Sequence, residues 1–402
     1  MTQSDIKKGA LLVLNSGSSS VKFSIFQLDA DGAEGVVPLF AGQLTGIGTD
    51  AHLKAKSEAG EKLADESWAT KDEGTVPSIL PHLLTWIETS LPADLPLIAA
   101  GHRVVHGGEV YDKPVVVTPE ILKQLESFSP LAPLHQPQNV AAIEALAKTR
   151  PDLPQVACFD TAFHQGQSDL CSIYALPKRL TDQGIRSYGF HGLSYEYIAH
   201  YLKQEMPDLA KGRVVVAHLG NGASLSVLED GKSIETSMGF SALEGVPMGT
   251  RPGSIDPGIL IHLMREHDMD AEDLEKLLYR ESGLLGISEI SNDMRDLQDN
   301  PDPRAQLAVD YFCSRVAKQI VSLAVSTGGL DALVFTAGIG EHGPIIRKKI
   351  GDYLNWIGIR IDPARNDANA SQISEDGSLP VYIIPTDEEI MIARHTLNAL
   401  SV

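Results

Sequence analysis

Two stretches of the chain share one plan, and that plan limits the fold more than any other feature. The first, "ALLVLNSGSSSVKFSIFQLDADG" (10–32), runs apolar strand, small polar turn, alternating strand, acidic turn ending in Gly. The second, "RVVVAHLGNGASLSVLEDGKSIETS" (213–237), repeats that order within a residue of slippage. In the first copy Val21, Phe23 and Ile25 alternate with Lys22 and Ser24, the period of a strand buried on one face. Each copy leads into alternating helix and strand signals, among them "LPLIAAGHRVV", "QVACF", "PRAQLAVDYFCSRVAKQIVSLAVST", "ALVFTAG" and "YIIPT". Hairpins followed by such alternation, twice over, predict a two-domain α/β protein. At 402 residues the chain also exceeds what a single core usually serves.

Composition narrows the partners. A formal charge of -20 argues against nucleic acid or an anionic membrane surface as the main partner. It still permits an anionic substrate in a pocket built from a few Lys and Arg. Cys158, Cys171 and Cys313 are odd in number and widely spaced, as expected of reduced thiols rather than a disulfide frame or zinc site. The run "ALLVL" is too short for a signal-peptide core, and Gly328, Gly329 and Asp331 break the longest mild apolar stretch. A soluble, cytoplasmic protein is expected.

Both turns suit an anion. Small residues let backbone N–H groups approach a phosphate, and hydroxyls add donors. Asn15, Ser18, Ser20 and Lys22 surround Gly17 in the first turn, and "HLGNGASL" (218–225) forms the second. Neither is a Walker A loop, since G-x-x-x-x-G-K-[ST] occurs nowhere in the chain. A rival pattern exists. Gly338, Gly340 and Gly343 spell G-x-G-x-x-G after the apolar "ALVF", and Asp362 ends the apparent strand "IGIRID" downstream. This fits a dinucleotide-binding fingerprint, except that it stands late in the chain with few strands to follow.

Other candidates sit at strand ends and in Gly-rich loops. Arg103 precedes Gly107 and Gly108, and Arg251 lies in "GVPMGTRPGSIDPG". Either guanidinium suits a carboxylate or phosphate, or else staples its own loop. Asp160 ends the strand "QVACF", and His191 stands between Phe190 and Gly192 ahead of a helix that Ser194 is expected to cap. His102 and His106 lack a third metal ligand in pattern, and no G-x-S-x-G elbow supports a serine hydrolase.

Together "LVLNSGSSSVKF", "GHRVVHGGE", "FDTAFH", "YGFHGLSYEYI", "AHLGNGASL", "MGFSALEGVPMGTR", "SGLLGIS", "FTAGIGE" and "TDEEIMIARHT" resemble the acetokinase family from end to end. The resemblance implies two duplicated ribonuclease-H-like (actin-like ATPase) domains flanking an active-site cleft. The expected division is 1–164 plus 390–402 for the first domain and 165–389 for the second, which would carry the nucleotide site. It implies reversible, Mg²⁺-dependent transfer of phosphoryl from ATP to acetate, giving acetyl phosphate and ADP, with Mn²⁺ as a substitute metal. It also implies a homodimer.

Carried over by motif, the resemblance puts Asn15 and Glu388 at the metal position and Lys22 by the nucleotide phosphates. Arg103 falls at the substrate carboxylate, and Asp160 at the essential acidic position, which family usage treats as a proton donor or acceptor. His191 and Arg251 fall at the groups stabilising the transition state. The nucleotide segments are His218, Leu219, Gly220, Asn221 and Gly222; Asp293, Met294 and Arg295; and Gly338, Ile339, Gly340, Glu341 and His342. Val105, Leu134, Phe190 and Ala242 fall around the substrate methyl. Acetate is already an anion at pH 7, so Asp160 is expected to orient Arg103 or a metal-bound water rather than move a proton.

Three positions depart from the family pattern: His342 where Asn is common, Ala242 where Pro is usual, and "TRPGS" for Thr-Arg-Ser-Gly-Asp. Ala242 keeps propionate or another short-chain carboxylate open as the acceptor, since a methylene discriminates by only about 1–3 kcal/mol. A nucleotide-binding module without catalysis is the reading from another class. Retention of both Arg, His191, Asn15 and Glu388 weighs against it.

Overall fold

Ala10–Ser16 and Ser20–Leu28 form β1 and β2, an antiparallel pair with Asn15 opposite Lys22 and Ser16 opposite Val21. The structure is a computed structural model and describes residues 9–17, 20–29, 35–68 and 74–400. Ser18 and the acidic turn at 30–34 lie outside the described residues. β3 (Val36–Thr45), β4 (Ala51–Ser57) and β5 (Lys62–Trp68) extend the meander. β6 (Leu97–Val104), β7 (Val115–Val116) and β8 (Gln155–Phe159) complete the first sheet, in the order β5-β4-β3-β2-β1-β6-β8-β7.

The second sheet contains β9 (Arg213–Leu219), β10 (Ala223–Glu229), β11 (Lys232–Thr236), β12 (Ala332–Thr336) and β13 (Val381–Ile383), in the order β11-β10-β9-β12-β13. Its antiparallel trio β11-β10-β9 adjoins two parallel strands, and β3-β2-β1 adjoins β6 and β8 in the same way. The repeat read in the sequence is therefore a repeat of topology, the ribonuclease-H-like order occurring twice.

The chain divides into two compact units, Met1–Phe163 with Asp387–Val402, and His164–Thr386. In the first, helix Val76–Ser90 buries Ile79, Leu80, Leu83, Leu84 and Ile87 against the sheet side chains Leu12, Leu14, Phe23 and Ile25. Trp86 meets Phe23 edge-on at 5.9 Å. In the second, helix Pro303–Ser326 starts where Asp302 accepts from the Arg304 N–H at 2.9 Å. Val309, Phe312, Val316, Ile320 and Leu323 on it are fully buried, at the i+3 and i+4 spacing of a single stripe. Each such side chain contributes roughly 1.5–3 kcal/mol of transfer free energy. Among the described residues no helix is long and apolar enough to cross a membrane.

Two expectations fail locally. "IGIRID" is not a strand: Asn355–Ile357 is a single 3₁₀ turn, Ile361 makes one isolated bridge to Ser374, and Asp362 caps helix Pro363–Asp367. The G-x-G-x-x-G glycines begin inside helix Ala337–His342, without the strand-loop-helix turn of a dinucleotide fold, so the dehydrogenase reading falls. Nor does Ser194 cap its helix. Helix Gly192–Glu205 begins at Gly192 behind a left-handed His191 (φ 57°), which leaves Ser194 inside the first turn and its hydroxyl on other partners.

Candidate active site

In the first unit, β1, β6, β8 and helix Glu388–Leu400 bring four polar side chains together. Arg103, near the end of β6, donates from Nε to Asp160 Oδ1 at 2.9 Å and from Nη2 to Oδ2 at 2.5 Å. Its Nη1 donates to Asn15 Oδ1 at 3.3 Å, and Glu388 Oε2 lies 3.8 Å from Nε. The side chain of Asp160 is only 1% exposed, so this carboxylate depends on the guanidinium fork for solvation. Burial opposes the charge on Arg103, but Asp160 and Glu388 outweigh it and hold the guanidinium pKa above its ordinary value. Burial pushes the Glu388 carboxyl up to about 7, with Arg103 opposing the shift and Asp160 adding to it.

Packing places Glu388. A Cβ on Gly101 of β6 would lie 2.2 Å from Thr396 Oγ1 and 2.7 Å from Ile392 Cγ2, so the helix carrying Glu388 rests directly on this glycine. Two buried amides, Gln136 and Asn139, fix the backbone beside Arg103. Asn139 donates to Ser16 O at 2.9 Å and accepts from Val105 N–H, while Gln136 bonds both the N–H and the C=O of His106. Sequence reasoning missed this pair, although amides at i and i+3 opening the apolar helix "QPQNVAAIEALA" are its signal. Lys22 is exposed, across the turn from Asn15, and its charge favours ionised Glu388. Val105 is buried and Leu134 half-buried in this unit.

In the second unit the β9–β10 turn is tight: Leu219 pairs with Ala223, and Gly220 N–H donates to Gly222 O at 3.0 Å. A Cβ on Gly222 would stand 2.8 Å from Arg251 Nη2 and 3.5 Å from His191 Nε2. Two side chains expected at the transition state, Arg251 and His191, thus converge on a position kept clear by the missing side chain. His191 Nδ1 lies 2.7 Å from Ser224 Oγ, and its ring stacks on His218 at 4.3 Å. Arg251 Nη1 donates to Ala242 O at 2.8 Å, so the Ala242 carbonyl helps to hold this guanidinium. Phe190 is buried, and its carbonyl lies 3.0 Å from His164 Nε2.

A cavity of 660 Å³ opens beside the turn, lined by Gly220, Asn221, Asp293, Met294, Arg295, Gly338, Ile339 and His342 of the expected nucleotide segments. Gly249, Leu284, Asn292, Gln298 and Gly343 complete the lining. Arg295 is folded back on Asp293, with Nη2 to Oδ2 at 2.5 Å. His218, Leu219, Gly222, Gly340 and Glu341 do not line this cavity. Gly340 and Glu341 instead offer carbonyls to Arg347 Nη1, at 2.8 and 2.9 Å. Fully buried Arg347 spends its other donors on Asn366 and Asn369. Burial lowers its pKa to about 10. No local sequence pattern marks this staple.

The duplicated sheet order, with a glycine turn bearing convergent donors beside a nucleotide-sized cavity, defines the class as a phosphotransferase on actin-like ATPase domains. A model of the acetokinase family matches residues 10–394. An acetate kinase of Nitrobacter hamburgensis is 48% identical over 392 residues, covering 97% of this chain and 96% of that protein. One from Rhodopseudomonas palustris is 49% identical over 397 residues, covering 96% and 97%. Among solved structures, a propionate kinase from Francisella tularensis superposes with a TM-score of 0.90 at 37% identity, covering 98% of this chain and 100% of that one. Porphyromonas gingivalis acetate kinase does so with 0.85 at 35% identity and the same coverage. The chain belongs to the acetokinase family, kinases whose phosphoryl acceptor is a carboxyl group.

Proposed function

We propose that this chain catalyses reversible phosphoryl transfer from ATP to acetate, giving acetyl phosphate and ADP, by direct in-line displacement. The observation that carries this reading is the Arg103–Asp160 fork. Arginine has five N–H bonds, of which Asp160 and Asn15 take three. One remains on each Nη, available to a second carboxylate, and Asp160 holds the guanidinium plane still while it binds. A module that only bound nucleotide would have no use for this arrangement.

Phosphoryl transfer asks chiefly for positioning and for relief of charge on the equatorial oxygens. Arg251 and His191, converging beside Gly222, are the donors for that charge. Removing one such donor costs about 3–4 kcal/mol in comparable sites. Acetate arrives as a carboxylate and needs no base, so Asp160 is assigned to orientation.

The oxygen donors around Arg103 fit Mg²⁺, which is commonly held by one or two carboxylates together with waters and substrate phosphates. Burial is the main cause of the raised Glu388 pKa, with the charges of Asp160 and Glu389 adding to it, and a nearby divalent cation would favour the ionised carboxylate. Asn15 and Glu388 would hold Mg²⁺, or Mn²⁺ in its place. Held there, the ion would supply charge neutralisation to the phosphate oxygens of the nucleotide. From the family resemblance we also propose a homodimer in the cytoplasm.

Propionate is the second reading, favoured by Ala242 and by the likeness to a propionate kinase. A hydroxamate assay with ATP and Mg²⁺, acetate and propionate in parallel and Arg251→Ala as control, separates the cases. Acetate well ahead of propionate, with the variant inactive, supports the proposal. Propionate ahead moves the assignment to propionate kinase. Nucleotide binding without either product leaves a binding module.

A further inference from the structure

His191 occupies an uncommon backbone position. Its left-handed φ of 57° strains a non-glycine residue, and the surroundings must offset that strain. Those surroundings grip the ring on two sides. One face stacks on His218, with centroids 4.3 Å apart and planes 18° from parallel. His218 is itself held, its Nδ1 lying 2.8 Å from Ser194 Oγ, which lies 2.8 Å from Thr386 Oγ1. On the ring edge, Nδ1 lies 2.7 Å from Ser224 Oγ, and Ser224 Oγ lies 2.5 Å from the Tyr195 hydroxyl. Ser224 and Tyr195 are both fully buried.

We infer that Ser224 is a positioning residue for His191: its hydroxyl donates to Nδ1, so that Nε2 carries the ring proton and presents it beside Gly222. The inference rests on the phosphotransferase reading above and extends it to residues that do not touch substrate. The direction of the relay follows from acidity and from charge. A phenol is a stronger acid than an aliphatic alcohol, so Tyr195 donates to Ser224 and the Ser224 proton turns to the imidazole. In a neutral histidine the hydrogen bond made by one ring nitrogen decides which nitrogen keeps the proton. The opposite order would aim the Nε2 lone pair at the place where Arg251 Nη2 also points. An anionic phosphoryl group there needs a donor, and a lone pair would repel it. Ser194 and Thr386 act one step further out, through His218, by keeping the stacking partner in place.

The test combines kinetics with ¹⁵N NMR of the histidine side chains in the full-length protein, His191 being assigned by difference against His191→Gln. The wild type is expected to show Nε2 protonated and Nδ1 unprotonated. Ser224→Ala is expected to lower kcat at least tenfold, with KM for ATP and acetate within threefold. Ser224→Thr, which keeps a hydroxyl, is expected to recover most of the rate. An Nδ1-protonated wild type overturns the inference, as does Ser224→Ala with kcat within twofold of wild type. A variant whose KM values rise in step with the loss of kcat also overturns it, because that pattern marks a structural role. If Ser224→Ala does not fold, Tyr195→Phe decides. Mixed His191 tautomers and a several-fold lower kcat support the relay, and an unchanged tautomer with unchanged kcat sinks it. A wild type that makes no acyl phosphate refutes the functional reading instead, and the tautomer measurement tells the two failures apart.

Discussion

Arg103 grips both oxygens of Asp160, Nε to Oδ1 at 2.9 Å and Nη2 to Oδ2 at 2.5 Å, and Asp160 is almost wholly buried. Truncating one partner of such a pair costs about 2–5 kcal/mol, largely from the charge left unpaired. Asp160→Asn is therefore expected to lower kcat/KM for acetate by about a hundredfold, while ATP binding persists. The hydroxamate assay with varied acetate measures it, and turnover within threefold of wild type would remove Asp160 from the mechanism.

Gly222 offers a substitution with little backbone penalty, since its φ is not left-handed. An added methyl would occupy the position 2.8 Å from Arg251 Nη2 and 3.5 Å from His191 Nε2. Gly222→Ala is expected to reduce kcat at least tenfold and to leave the urea midpoint near that of wild type. Full activity would show that the phosphoryl group does not pass that point.

At Gly101 the opposite balance is expected. Its missing Cβ leaves room for Thr396 and Ile392, so Gly101→Val would push helix Glu388–Leu400 off β6. Overpacking of this kind costs about 1–3 kcal/mol. Because Glu388 rides on that helix, the Mg²⁺ concentration for half-maximal activity should rise together with the loss of urea stability. A stability loss with unchanged Mg²⁺ dependence would uncouple Glu388 from the metal.

Acid sensitivity follows from three histidines. Burial lowers His102, His106 and His164 from 6.5 to about 4, and the Gln155 amide nitrogen, 2.7 Å from His102 Nε2, donates to a neutral ring there. Between those values the unfolded chain binds protons that the folded chain refuses. Their contribution is fully present above pH 6.5 and is lost as pH falls towards 4, by about 1.4 kcal/mol per pH unit for each proton. His102→Gln should make the slope of unfolding free energy against pH shallower by about one proton across that window, since burial is what lowers the His102 pKa. Urea titrations from pH 4.5 to 7 measure it, and an unchanged slope would mean that His102 is protonated in the folded state.

The chain's repeated pattern of alternating apolar residues, small polar turns and glycines determined a good deal by itself. Strand period, turn composition and helix stripes are local quantities, so "LLVLNSGSSSVKF" and "VVVAHLGNGASL" already announced two matching hairpins, and the motifs announced the family. The misreadings at "IGIRID" and Ser194 arose where a short apolar run or a lone hydroxyl fits two local structures, and tertiary partners chose between them. What tertiary structure alone decided are relations across sequence distance: Glu388 brought beside Arg103 by a helix seated on Gly101, Asn139 reaching back to Ser16, Ser224 meeting His191, and Arg347 fastening Gly340 and Glu341. Such neighbours depend on strand order and on which side chains leave room for a crossing helix. Those are properties of the packed sheets, and no spacing along the chain records them.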